Sequence, residues 1–160
     1  MKKTILSLIM AFAGVVSASA QFEQGKYYLA ATTNSAGLSY SKESKFNLNL
    51  GLNAGYMFED GWMAIAEFGM DYRNSDMQQI FAGAKCRYLI EQNGLFLQLG
   101  AKYVHGAPSF NDVQITPEVG YCYFLNGHLT LEPSIYYDLS LSDFSDKSKF
   151  GLKVGLAWYF

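Results

Sequence analysis

Cysteine, proline and histidine are scarce: the 160 residues hold two, three and two of them. The spacing and neighbours of Cys86 and Cys122 give no metal-ligand pattern, so nothing here points to a metal centre. Neither sign of charge dominates, with 12 Lys and Arg against 14 Asp and Glu, and a balance of −2 offers little to a nucleic acid backbone. After the first twenty residues there is no apolar run of the roughly 20 residues needed to cross a bilayer as a helix. That absence excludes helical spans only, because a strand that alternates lipid and lumen residues keeps near-neutral hydropathy.

What is present begins with an export pattern. Lys2 and Lys3 precede an apolar segment, Ile5 to Val16, and Ala18-Ser19-Ala20 supplies small residues at a cleavage site. Residues 1–20 are therefore expected to be removed, leaving one domain over 21–160 with ten basic and fourteen acidic side chains, a charge of about −4. Gln21 is not cysteine, so the lipoprotein alternative has no acylation site.

The remainder alternates with a period of two, the pleat of a β-strand. The last eleven residues show it best: Phe150, Leu152, Val154, Leu156, Trp158 and Phe160 share one face, and Gly151, Lys153, Gly155, Ala157 and Tyr159 the other. Seven earlier segments behave alike. They start near Lys26, Phe46, Trp62, Gln79, Leu95, Val113 and Leu129, and Gly-containing turns follow at Glu59-Asp60-Gly61, Glu91-Gln92-Asn93-Gly94 and Leu125-Asn126-Gly127. Asn74 to Asp76 and the polar stretches Ser41 to Ser44, Gly106 to Asn111 and Ser142 to Ser148 read as loops. The first segment loses phase after Asn34, which predicts a bulge. Pro117 and Pro133 lack an N–H and are expected at weakened ladder positions.

The glycines decide which face is inside. Gly51, Gly55, Gly69, Gly83, Gly100, Gly120, Gly151 and Gly155 all fall on the polar face. An eight-stranded barrel has an interior only wide enough for side chains to fill, so that face points in and the aromatic and aliphatic face points out. The same phase sends Glu67, Asp71, Glu118, Glu132 and Asp138 inward with Arg73, Lys85, Arg87, Lys102 and Lys153, acids and bases in equal number, as a paired network requires. The outward face of the eight segments carries no charge, and its Tyr, Phe and Trp gather at both strand ends like interfacial girdles. Cys86 faces outward and Cys122 inward, which predicts two free thiols. The reading is an all-β chain: an eight-stranded antiparallel up-and-down transmembrane β-barrel after a cleaved signal peptide.

The carboxy-terminal stretch resembles the assembly signal of outer-membrane β-barrel proteins, whose polar residue, glycine and alternate apolar residues fall on Lys153, Gly155, Trp158 and Phe160. The whole 21–160 segment is similar to the small eight-stranded barrels of the OmpX and OmpA membrane-domain type, departing from the OmpX type in its short loops. That resemblance implies an integral outer-membrane protein of a diderm bacterium, surrounded by outer-membrane lipids and lipopolysaccharide and folded by the barrel assembly machinery. It implies a structural or surface-interaction role, no cofactor, no nucleic acid, and an unidentified partner at the outer loops. Two alternatives stand beside it: a soluble lipocalin-like binder with the faces reversed, and a lipid A modifying barrel enzyme built on His105, Ser109 and Asp112, which could gather at one rim.

Overall fold

The structure, a computed structural model, describes residues 22–34, 47–73, 76–90, 93–106, 110–142 and 148–160. The expected export signal, the loop Ser41 to Ser44, the bulge expected after Asn34 and Ser109 all lie outside the described residues. The alternating segments form β1 (Tyr27–Asn34), β2 (Asn47–Glu59), β3 (Trp62–Arg73), β4 (Asp76–Ile90), β5 (Leu95–Gly106), β6 (Phe110–Tyr121), β7 (Tyr123–Phe124), β8 (Leu129–Ser140) and β9 (Lys149–Tyr159). Cys122 interrupts a single course of chain between β6 and β7. Both pair with β8 in one register, Gly120 opposite Ser134 and Tyr123 opposite Leu131. The eight expected strands are therefore present, each antiparallel to its chain neighbours, and β1 pairs with β9 to close the sheet.

The register fixes the barrel's dimensions. Tyr159 lies opposite Tyr28, Tyr28 opposite Gly55, Gly55 opposite Ile65, Ile65 opposite Lys85, Lys85 opposite Gly100, and Gly100 opposite Thr116. Thr116 faces Asp138 across the next seam, and Asp138 lies opposite Lys149, so one circuit returns to β9 ten residues from Tyr159. A closed sheet of eight strands with that stagger tilts its strands by about 35 to 45° and leaves an interior of side-chain width.

Two of the three short turns use glycine in the left-handed region, Gly61 at φ 75° and Gly94 at φ 73°. The third is held by a side chain instead: Asn126 Oδ1 accepts from His128 N at 2.9 Å and Leu129 N at 2.8 Å. Two boundaries differ from the sequence reading. Strand β4 starts at Asp76, inside the expected loop, because Asp76 still pairs with Arg73. The Gly106 to Asn111 loop is shorter than expected, since Gly106 pairs with Phe110 and His105 with Asn111. Register shifts occur at Met57/Glu59 and Asp71/Tyr72.

The faces are those the glycines required. Leu52 (61% exposed), Leu99 (58%), Tyr27, Phe68, Trp62 and Trp158 point out, while Lys85, Arg87, Glu118 and Glu132 are buried, the opposite of what the lipocalin-like alternative requires. Cys86 is exposed, Cys122 buried, and both are free. The interior is apolar at one end. At the turn end Met57, Met63, Leu89, Phe96, Tyr28 and Tyr159 form an apolar plug, completed by Phe22 from the segment ahead of β1. Phe22 seats its ring 5.5 Å from Phe124 and 5.8 Å from Tyr159. The segment is tied across the mouth through Gly61 N to Phe22 O at 3.0 Å, Gly25 N to Met57 O at 2.9 Å and Gln24 N to Asp60 Oδ1 at 2.7 Å.

Candidate functional site

Above the plug the lumen is filled by tiers of hydrogen-bonded polar side chains. At its base the Glu132 carboxylate, on β8, takes five donors. Arg87 Nη1 at 2.8 Å and Tyr28 OH at 2.9 Å reach one oxygen; Tyr159 OH and Thr130 Oγ1, each at 3.0 Å, and Cys122 Sγ at 3.5 Å reach the other. Gln98 links this base to the next level, accepting from Arg87 Nε at 2.8 Å and donating to Glu118 at 2.9 Å. Glu118 also accepts from Lys153 Nζ at 2.8 Å and Ser134 Oγ at 2.6 Å, and Lys85, paired closely with Glu67, lies 4.0 Å away. Toward the loops Asp138 accepts from Lys102 Nζ at 2.8 Å and Thr116 Oγ1 at 2.6 Å. Charges this deeply buried persist only because each is paired and hydrogen-bonded.

The inward glycines make room for the rings that carry these cations. Gly120 sits opposite Phe96, Gly69 opposite Phe81 and Gly151 opposite Tyr136. In each case a Cβ on the glycine would run into the ring. Each ring bears a cation on another side: Arg87 lies 4.0 Å from the Phe96 centroid, Lys102 5.4 Å from Phe81 and Lys153 4.8 Å from Tyr136. A glycine, a ring, a cation and then a carboxylate thus repeat three times round the lumen. Such stacking over an aromatic face is attractive and fixes where the cation's stem can lie.

No protein-family model matches the sequence, and no curated protein matches it. Solved structures do. The N-terminal β-barrel domain of Pseudomonas aeruginosa OprF is similar at a TM-score of 0.67 and 13% identity, covering 86% of this chain and 98% of that one. Neisserial surface protein A matches at 0.53 and 15% identity (84% and 95% covered), and the outer membrane protein OprG from P. aeruginosa at 0.54 and 14% (86% and 97%). The fold is that of the small outer-membrane β-barrels. Among the described residues the strand ladders close on themselves and the large apolar side chains point outward, the arrangement that barrels of this fold use in a bilayer.

Within the outer-membrane barrel fold, the residues singled out in the sequence take these places. Glu67, Lys85, Arg87, Lys102, Glu118, Glu132, Asp138 and Lys153 meet in the lumen as described, Asp71 is half-buried on β3, and the Arg73 side chain is outside the described residues. Of the carboxy-terminal set, Gly155 faces in opposite Thr32, Trp158 stacks on His128 with rings 9° from parallel, and Phe160 stacks on Tyr27. The rim constellation is not assembled. His105 is exposed and its Nδ1 lies 2.7 Å from Asn111 Oδ1, whereas Asp112 is turned inward and buried, 3.1 Å from Gln114 Nε2. Adjacent strand positions point to opposite sides of the wall, so His105 and Asp112 cannot share a site. Sequence reasoning missed Tyr28, Gln98, Thr116, Thr130, Ser134 and Tyr159 as network members. Their inward phase was readable, but a search confined to charged residues passes over neutral groups that complete a carboxylate's hydrogen bonds.

Proposed function

We propose that the protein is an integral barrel of the outer membrane of a diderm bacterium, with a structural or surface-interaction role and neither catalytic nor porin activity. One observation carries this reading: the apolar side chains are exposed round the wall while the charged ones are buried, the inverse of a soluble chain. The lumen network supports the absence of a wide pore, since its ion pairs cross the space a channel would need. The engagement of the lumen carboxylates by donors, with His105 outside the wall, supports a role other than catalysis.

Lipids and lipopolysaccharide surround the belt in this proposal, and the assembly machinery reads the terminal strand at Lys153, Gly155, Trp158 and Phe160. The loops Ser41 to Ser44, Gly106 to Asn111 and Ser142 to Ser148 are where a surface partner would touch. The test is membrane fractionation followed by electrophoresis of heated and unheated samples. A folded barrel partitions with outer membranes and changes mobility on boiling; recovery in the periplasmic extract without a mobility change sinks the proposal.

A further inference from the structure

One seam of the wall is built differently from the rest. The ladder between β6 and β8 keeps its register but is broken twice, between Ile115–Leu139 and Glu118–Tyr136 and again between Gly120–Ser134 and Tyr123–Leu131. The ladders on the outer sides of these strands, β5 to β6 and β8 to β9, run without a gap. The prolines are the cause. Leu141 N donates to Val113 O at 3.0 Å, so odd-numbered residues on both strands turn their main-chain groups into this seam. Pro117 and Pro133 are both odd, so each removes its missing N–H from the β6–β8 ladder and from no other.

Side chains bridge both gaps from inside. In register, Thr116 faces Asp138 at the first gap and Cys122 faces Glu132 at the second, and both pairs are bonded, at 2.6 and 3.5 Å. Between them Ser134 on β8 donates to Glu118 on β6 at 2.6 Å. Lys102 reaches from β5 over β6 to Asp138, and Lys153 from β9 over β8 to Glu118, both at 2.8 Å. The seam is therefore crossed by lumen bonds at both breaks in its backbone ladder and between them.

We infer that the β6–β8 seam is a parting line in the barrel wall, held shut from the lumen by Thr116–Asp138 and Ser134–Glu118. Both ends of the seam stay anchored, at Val113–Leu141 toward the loops and through Leu125 N to Leu129 O at 2.8 Å in the turn, so parting makes a slit and not a split. The slit would expose the lumen carboxylates of Glu118 and Asp138 sideways. The seam where the chain's first and last strands meet, β1–β9, is not the line of least resistance.

Amide hydrogen exchange on the folded protein in detergent micelles tests this, with the heat-dependent gel shift confirming that each variant folds. Removing the latch with Thr116→Val and Ser134→Ala is expected to speed exchange at Val119 and Ile135 about tenfold, the loss of one or two hydrogen bonds, while β2–β3 amides stay as they were. Restoring the ladder with Pro117→Val and Pro133→Val is expected to slow the same seam amides, and on that background the latch substitutions should lose most of their effect. Faster exchange spread evenly round the barrel, or appearing first at β1–β9, overturns the inference. So does a proline-free variant whose seam amides exchange as in the parent, a result readable even where the latch variant does not fold.

Discussion

The Phe96 ring is wedged between the Arg87 guanidinium, 4.0 Å from its centroid, and the bare backbone of Gly120. A methyl group on residue 120 would overlap the ring tip and lie 2.7 Å from Ser134 Cβ, and the ring cannot retreat without pushing Arg87 off Glu132. Gly120→Ala is therefore expected to destabilise the barrel by about 1 to 3 kcal/mol through overpacking. Gly127, in the turn before β8, has nothing within 4 Å of the point where an alanine methyl would sit, and it serves as the control; Gly127→Ala should stay within about 0.5 kcal/mol. Urea titrations followed by the gel shift compare the two. Equal midpoints would mean that the lumen yields more easily than this close approach implies.

At the scale of the element, what was legible in the sequence follows from the pleat. A period of two reports which way each side chain points, so Leu52 and Leu99 outward and Lys85 and Glu118 inward could be read directly. The pleat alone does not report height along the barrel, and the apolar base, with Met57, Met63 and Leu89, shows as one cluster only once the registers stack the strands. Nor does it govern a segment ahead of the first strand: Phe22 has no alternating neighbours to give its direction, and its burial is a tertiary contact. The strap that carries it, with Gln24 and Gly25, is bound to Asp60 and Met57. Phe22→Ala should cost about 3 to 5 kcal/mol if the strap stays in place, less if it peels away. The expected outcome is loss of exchange protection at Gly25 and Gly61 with β4–β5 protection retained, and Phe22→Leu restoring most of it. Unchanged protection in Phe22→Ala would show that the hydrogen bonds alone hold the strap.

For the molecule as a whole, the same alternation has opposite consequences one residue apart. Leu99 projects into the surroundings from the middle of β5, and its neighbour Gln98 projects into the lumen, where it joins Arg87 to Glu118. If hydrocarbon covers the outer face, Leu99→Arg places a guanidinium near the bilayer midplane and should cost about 2 to 4 kcal/mol in lipid vesicles. Pro117 and Cys86 flank Leu99 on the adjoining strands, and neither offers a carboxylate to pair with it. In detergent micelles the long side chain reaches water more readily, so the penalty should shrink. The comparison of vesicle with micelle isolates the solvent from the fold, because the lumen network behind Leu99 is the same in both. Equal and small penalties in the two media would mean that hydrocarbon does not cover the face bearing Leu99, and the membrane assignment would fail with it.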